Sequence, residues 1–297
     1  MDIKKIAVIG ATGLLGQPVT RRLIEAGVQV RILARDPERA AELFPNAEVQ
    51  QADVFDQDSL ESGLADQDAV YLNLSTRQDE SPDDPHTETD GMKNILAAAD
   101  TTGVKRVLFI SSLVQRYQGM NGFHWWAFDV KQQAIELVKQ SGIHYTIFYP
   151  SSFMENYYGG YLQGEKLMLV GESKQPMFFI AGEEYANQVV ESIRIADDQN
   201  YEYVVQGPEA YTLEEAADIF QENYPHGELK KSRIPLWLLK SLSLFKQEFK
   251  YGAKILEALN NYPEEFEAEE TWEELGKPKI TLAEFARHFP EQEETNK

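Results

Sequence analysis

Short apolar runs alternate with amphipathic stretches through the first half of the chain. KKIAVIG is an apolar run closed by glycine, and LGQPVTRRLIEAG keeps its apolar positions on one side up to a glycine stop. VQVRILAR alternates like a strand, PERAAELF reads as a short helix, AEVQQADVFD as a strand ending in an acidic turn, and SLESGLAD as a helix. DAVYLNLS is a buried strand, TDGMKNILAAADTTG a helix, VKRVLFISS a strand, GFHWWAFDVKQQAIELVKQSG a helix and HYTIFYPS a strand. This order predicts an α/β fold: a doubly wound parallel sheet with helices on both faces.

The pattern changes after Tyr149–Pro150. SSFMENYYGGYLQG is aromatic and glycine-rich without a period. GEEYANQVVESIRIA reads as a helix, YEYVVQG as one more strand, and TLEEAADIFQENY as a helix opened by a threonine cap with glutamate three residues on. The tail, PEEFEAEETWEELG and ITLAEFARHF, is helical and acidic. We therefore expect a dinucleotide-binding domain over residues 1–150 and a smaller, mostly helical substrate lobe over 151–297, with 201–207 returning a strand to the main sheet. QDESPDDPHTETDG, Gln78 to Gly91, reads as an exposed acidic loop beside the site, because it follows a central strand.

Composition narrows the function. The 297-residue chain carries a formal charge of −21, which argues against sequence-independent nucleic-acid binding. It has no cysteine, so disulfides, thiol nucleophiles and cysteine metal sites are excluded. His86, His124, His144, His226 and His288 are scattered, without metal-ligand spacing. MDIKKIAVIG runs directly into a strand, and the late apolar stretch IPLWLLKSLSLF is too short and too interrupted by lysine to span a bilayer. A cytoplasmic protein is expected, without a membrane partner and with its oligomeric state open.

The chemistry begins with Gly10-Ala11-Thr12-Gly13-Leu14-Leu15-Gly16, which follows the first strand and opens the first helix. Glycines at this spacing let the backbone turn tightly and approach a pyrophosphate, whose charge then sits at the helix N-terminus. Two residues at the end of the second strand argue opposite ways about the cofactor. Asp36 would bond the ribose hydroxyls of NAD, whereas Arg35 would pair with the extra phosphate of NADP. Asp36 precedes Pro37 and looks like a helix cap, so NADP(H) is favoured over NAD(H), with Arg39 assisting. Asp53 ends the third strand within reach of the adenine, and Asn73, Leu74 and Ser75 end the fourth on the ribose side.

GATGLLG, LARDPERA, QADVFDQDSL, FISS, Lys131 and TIFYPSSFMENY together resemble the atypical short-chain dehydrogenase/reductases, specifically the NmrA-like NAD(P)-binding proteins. GPEAYTLEEAA and LGKPKITLAEFARHF extend the likeness over nearly the whole chain. It implies a Rossmann-like domain, a small C-terminal substrate domain and a cleft between them. The family contains NADPH-dependent reductases of quinones and related small molecules, and also redox-sensing regulators with little or no turnover. By position, Gly10, Gly13 and Gly16 match the phosphate loop, Arg35 the basic residue for the NADP phosphate, and Lys131 the lysine that bonds the nicotinamide ribose. Tyr149, Pro150 and Phe153 belong to the loop that passes the nicotinamide, and Asn156 to the pocket segment after it. Ser111 or Ser112 stands near the family's strand-end hydroxyl, with Leu113 a third occupant of that position.

One departure matters. The family's wider superfamily places a tyrosine one turn before the lysine, to protonate the carbonyl oxygen, and Ala127 stands there. Hydride transfer survives this loss because the cofactor carries it. His124, seven residues before Lys131, is a candidate substitute on the same helical face, in competition with a loop-packing role. Trp125 and Tyr157 are candidates for the substrate pocket with Ser112 and Asn156, while Tyr158 is a further phenol. Two functions remain: a reductase of a small quinone-like or aromatic acceptor, suggested by FMENYYGGY, and a dinucleotide sensor whose C-terminal lobe binds a protein partner, suggested by Ala127 and the acidic C-terminal surface.

Overall fold

The computed structural model describes residues 1–158, 160–242 and 247–291. The end of IPLWLLKSLSLF, residues 243–245, and the tail after 291 lie outside them. The first half runs β1 (Lys5–Ile9), α1 (Gly16–Glu25), β2 (Gln29–Ala34), α2 (Pro37–Leu43), β3 (Glu48–Gln51), α3 (Gln57–Leu64), β4 (Ala69–Leu72), α4 (Met92–Thr102), β5 (Arg106–Ile110), α5 (Trp126–Gln140) and β6 (His144–Pro150). There follow β7 (Ser152–Phe153), β8 (Leu162–Gln163), β9 (Lys166–Val170), β10 (Met177–Ile180), α6 (Gly182–Arg194) and β11 (Tyr201–Val205). The chain continues with β12 (Ala210–Tyr211), α7 (Leu213–Asn223), β13 (Lys230–Ile234), α8 (Leu236–Leu242), α9 (Gln247–Asn261), α10 (Glu269–Leu275) and α11 (Leu282–Arg287).

Seven parallel strands in the order β11-β6-β5-β4-β1-β2-β3 form the main sheet. The order reverses at β1, which lies between β2 and β4, and this switch point opens a crevice at the carboxyl ends of the strands. Alternation along each strand divides the core. Ala7, Ile9, Val70, Leu72, Val107 and Phe109 face the α3, α4 and α5 layer. Ile6, Val8, Tyr71, Leu108 and Ile110 face α1, α2 and α6. Both faces are covered, which is why these strands read as unbroken apolar runs. β11 adds to the edge beside β6, Tyr201 opposite Thr146.

The smaller lobe holds helices and two three-stranded sheets, β12-β10-β7 and β13-β9-β8, around a third core. The aperiodic segment after Pro150 thus contributes two short strands. Among the described residues no helix is long and apolar enough to cross a membrane.

Two local expectations are corrected. The helix read from Gly122 begins at Trp126, because Asn121 and Gly122 have positive φ, 50° and 74°. His124 therefore precedes the helix and does not share a face with Lys131. The Gln118 side chain serves this entry, accepting from the Trp125 N–H at 3.0 Å and donating to Asp129 Oδ1 at 2.6 Å. The acidic segment Gln78–Gly91 is also only partly exposed: Glu80, His86 and Glu88 are buried. Their polar atoms find partners, His86 Nδ1 and Glu80 Oε2 being 2.8 Å apart, which offsets the cost of leaving water.

Candidate dinucleotide site and its neighbouring cavity

A groove of about 520 Å³ lies over the carboxyl ends of β1 to β4. Gly10, Ala11 and Thr12 form its floor, Asn73, Leu74 and Ser75 one wall, and Arg35, Asp36, Arg39 and Asp53 its outer end. Three of the loop's positions have separate physical reasons for glycine. Gly10 has φ +87°, and a Cβ there would lie 2.2 Å from the Asn73 carbonyl oxygen. A Cβ on Gly16 would lie 2.0 Å from the Gly10 carbonyl oxygen. Gly13 is different, because a Cβ there meets nothing closer than 3.4 Å. The protein's own packing therefore needs Gly10 and Gly16. At Gly13 the packing of the chain itself makes no such demand. Asn73 Nδ2 donates to the Gly10 carbonyl at 3.3 Å and ties the loop to β4. Helix α1 starts at Gly16 with no side-chain cap, and the Gln17 N–H of its first turn donates to the Gly13 carbonyl at 3.0 Å.

The outer end is basic. Asp36 caps α2, accepting from the Arg39 N–H at 3.0 Å, so its carboxylate is engaged as the local sequence predicts. Arg35 and Arg39 are exposed, and among the described residues neither makes an ion pair. Arg77 also lines the groove but is paired with Asp79 at 3.0 Å. Asp53 Oδ1 accepts from the Phe55 N–H, and the Phe55 ring, 46% exposed, lies at the groove's edge. Phe55, Arg77 and Thr87 were not singled out from the sequence; a large exposed apolar ring just after a strand end was the available signal.

The inner end is held by buried ions. Lys131 Nζ lies 2.7 Å from Glu88 Oε1, and the Glu88 side chain is fully buried. Glu88 Oε2 accepts from both the N–H and the hydroxyl of Thr76, each at 2.8 Å. Thr87, which lines the groove, donates to the Ser75 carbonyl at 3.0 Å. Burial pushes the Lys131 ammonium down, but the Glu88 charge and hydrogen bond hold it above the ordinary lysine value. Glu88 was missed because its segment read as a solvated loop. Ala127 is buried one turn before Lys131 and brings no hydroxyl. Ser111, at the end of β5, is buried with its Oγ unpartnered, while its N–H donates to the Phe148 carbonyl. The uncrowded Gly13, the unpaired arginines and the orphaned Ser111 hydroxyl fit a dinucleotide lying across the crevice.

The other candidates have contacts of their own. His124 is exposed and pairs with Asp129 at 3.1 Å. Trp125 packs into the core against Phe128 and Tyr251. Phe153 packs on Tyr185, and Tyr157 stacks on Phe220 with ring centroids 4.0 Å apart. The Tyr149 hydroxyl donates to Glu202 Oε2 at 2.7 Å; burial and that carboxylate raise its pKa. Pro150 accepts from the Leu113 N–H, Ser112 is half-buried, and Asn156 Nδ2 lies 3.5 Å from Ser152 Oγ.

Leu14 faces away from the groove, and Leu15 stands at the N-cap position of α1 without a capping hydrogen bond. On Leu14's side, between the glycine loop and the smaller lobe, lies a larger cavity of about 900 Å³. Glu155 and Tyr158, the neighbours of Asn156 and Tyr157, line it with Phe285 of α11. The glycine loop is thus shared by a basic groove and a mixed apolar cavity.

A family model described as NAD(P)H-binding matches residues 10–177. A (4-alkanoyl-5-oxo-2,5-dihydrofuran-3-yl)methyl phosphate reductase of Streptomyces griseus is 31% identical over 214 residues, 71% of this chain and 70% of that protein. The photosystem II assembly factor Ycf39 of Synechocystis is 23% identical over 253 residues, 83% of this chain and 76% of that protein. Among solved structures, an NADPH-dependent quinone oxidoreductase of Escherichia coli complexed with NADPH aligns with TM-score 0.74 at 23% identity, covering 95% of this chain and 99% of that one. At that identity the likeness speaks for the fold.

Proposed function

Because the chain belongs to the NAD(P)H-binding family, as an NmrA-like atypical short-chain dehydrogenase/reductase, we propose that it is an NADPH-dependent reductase of a small quinone-like or aromatic acceptor. The observation that carries this reading is the groove with unpaired Arg35 and Arg39 at one end and, on its wall, Ser75 and Thr87, whose chain neighbours Thr76 and Glu88 hold Lys131. The bound dinucleotide supplies the hydride. The loop Gly10 to Gly16 and the start of α1 hold its pyrophosphate, and Arg35 with Arg39 takes the additional phosphate. Asn73, Leu74 and Ser75 line its path, Asp53 and Phe55 flank the adenine end, and Ser111 and Lys131 bond the inner ribose and ring. The 900 Å³ cavity beside Leu14 offers a mixed apolar and polar lining for the acceptor. The names of the Streptomyces reductase and the E. coli quinone oxidoreductase support the reaction class.

Calorimetric titration of the dinucleotide-free protein with NADPH, NADP⁺, NADH and NAD⁺, followed by NADPH oxidation with a quinone panel, tests the reading. We expect both phosphorylated forms to bind tightly and at least one quinone to be reduced. Binding of none of the four would overturn the proposal. The second reading is a dinucleotide sensor with a protein partner, supported by Ala127 and by the relative named an assembly factor. It predicts silence with every acceptor and a large affinity difference between oxidised and reduced forms.

A further inference from the structure

We propose that Glu155 is the proton donor that replaces the missing tyrosine, acting on an acceptor held in the cavity between the glycine loop and the smaller lobe. This rests on the reductase reading above. Its basis is independent of Lys131 and of the groove.

Glu155 lines the cavity together with Leu14 of the glycine loop. One carboxyl oxygen, Oε1, accepts from the Gly182 N–H at the start of α6, at 2.8 Å. The other, Oε2, is buried and has no hydrogen-bond partner. A buried oxygen left unpaired is costly, and in native proteins such an atom calls for a partner outside the chain or a proton of its own. Oε2 satisfies both conditions if it carries a hydrogen and donates it to an acceptor oxygen in the cavity. The cavity's apolar lining, Leu14, Pro18 and Phe285, suits the flat body of such an acceptor.

The electrostatics agree. Burial pushes the Glu155 carboxyl up, the backbone N–H groups of Gly182 and of Glu155 itself oppose this, and the Glu183 charge adds to it. The other charged or titratable groups on the cavity wall are Arg21 of α1, Tyr158, Lys279, and Glu284 and His288 around α11. The step balances with reduced dinucleotide as the reductant. The acceptor gains the hydride with its electron pair, the Glu155 O–H bond breaks, and an O–H bond forms on the acceptor oxygen. The carboxylate then regains its proton from solvent through the cavity mouth.

The test compares wild type with Glu155→Gln and Glu155→Asp, using menadione as acceptor and NADPH as reductant. Glutamine keeps an oxygen for the Gly182 N–H but has no acid to give. We expect NADPH affinity in Glu155→Gln to match wild type and kcat to fall roughly 100-fold or more, since general acid catalysis is worth about that much. The basic limb of the wild-type kcat profile should vanish in Glu155→Gln and return, displaced, in Glu155→Asp. Infrared titration of the dinucleotide-free proteins gives a readout without turnover. A protonated-carboxyl band persisting above the ordinary glutamate range should be present in wild type and absent from Glu155→Gln. An unchanged kcat profile, or identical infrared titrations, would overturn Glu155 as donor and leave the reductase reading standing. Wild type that binds no dinucleotide would overturn the reductase reading itself. If Glu155→Gln does not fold, Ile280→Trp fills the cavity from the smaller lobe and leaves Glu155 unsubstituted. It should raise the menadione KM several-fold at unchanged NADPH affinity, and an unchanged KM would overturn the assignment of the cavity.

Discussion

Lys131 does not stand free in the folded protein. Its ammonium is neutralised by Glu88, whose second oxygen is occupied by Thr76. Removing one member of such a pair leaves a buried charge alone, at a cost of about 3–5 kcal/mol, so Lys131→Ala measures folding as much as binding. The double variant Lys131→Met/Glu88→Gln removes both charges. We expect it to melt near wild type, to bind NADPH about tenfold more weakly and to lose turnover. Wild-type affinity and turnover in the double variant would exclude Lys131 from the site. Arg35 has no partner to strand, so Arg35→Ala should leave the melting temperature unchanged. It should lower the preference for NADPH over NADH by roughly tenfold or more, because one charge-assisted phosphate contact is lost. A preserved preference in paired titrations would place the phosphate elsewhere. The sequence names Lys131 and Arg35 directly. Glu88 it hides, because an acidic residue in a polar loop looks solvated until its partner, forty-three residues away, is brought to it.

At the scale of elements, the loop between β1 and α1 separates folding from binding. Gly16→Ala forces a Cβ against backbone at 2.0 Å and should destabilise the protein by more than about 1 kcal/mol. Gly13→Ala meets only ordinary contacts, so its stability should stay within about 0.5 kcal/mol of wild type while NADPH affinity falls. Thermal melts with and without NADPH separate the two effects; equal NADPH protection of Gly13→Ala and wild type would show that Gly13 faces no ligand. Element identity was widely legible. The threonine and glutamate signal at Thr212–Glu215 is a real capping box, and the structure adds a second, Thr281–Glu284, in ITLAEFARHF. The start of α5 was not legible, because it depends on the Gln118 side chain returning across a loop to the Trp125 N–H.

For the molecule as a whole, one acid ties the C-terminal arm to the main sheet. Glu264, beyond α9, accepts from Ser151 Oγ after β6 and from Gln206 Nε2 after β11, each at 2.7 Å. Burial pushes its carboxyl up to about 7, with the hydrogen bonds from Gln206, Ser151 and the Phe178 N–H opposing and the Glu267 charge adding. The folded state thus holds this proton more tightly than the unfolded chain, whose glutamate titrates near its ordinary value. Its stabilising effect is complete below the ordinary glutamate range and is lost as pH rises towards about 7, at up to about 1.4 kcal/mol per pH unit. Glu264→Gln should melt close to wild type at about pH 4.5 and above it at about pH 8. A parallel pH dependence of the two melting curves would show that Glu264 does not carry this proton.

The sequence by itself determined the strand–helix order, the parallel sheet, the glycine loop and the basic end of the second strand. These follow from periodicity, turn chemistry and spacing within one unit, which neighbouring residues settle among themselves. Tertiary structure decided what depends on distance along the chain. It buried Glu88 beneath Lys131, withdrew Trp125 and Tyr157 into cores, and set Glu155 and Leu14 on one cavity. A charge or an aromatic ring reads alike in sequence whether it meets water, a partner or a ligand. Only packing fixes which of these it meets, and so which groups are left with an unfilled hydrogen bond for chemistry.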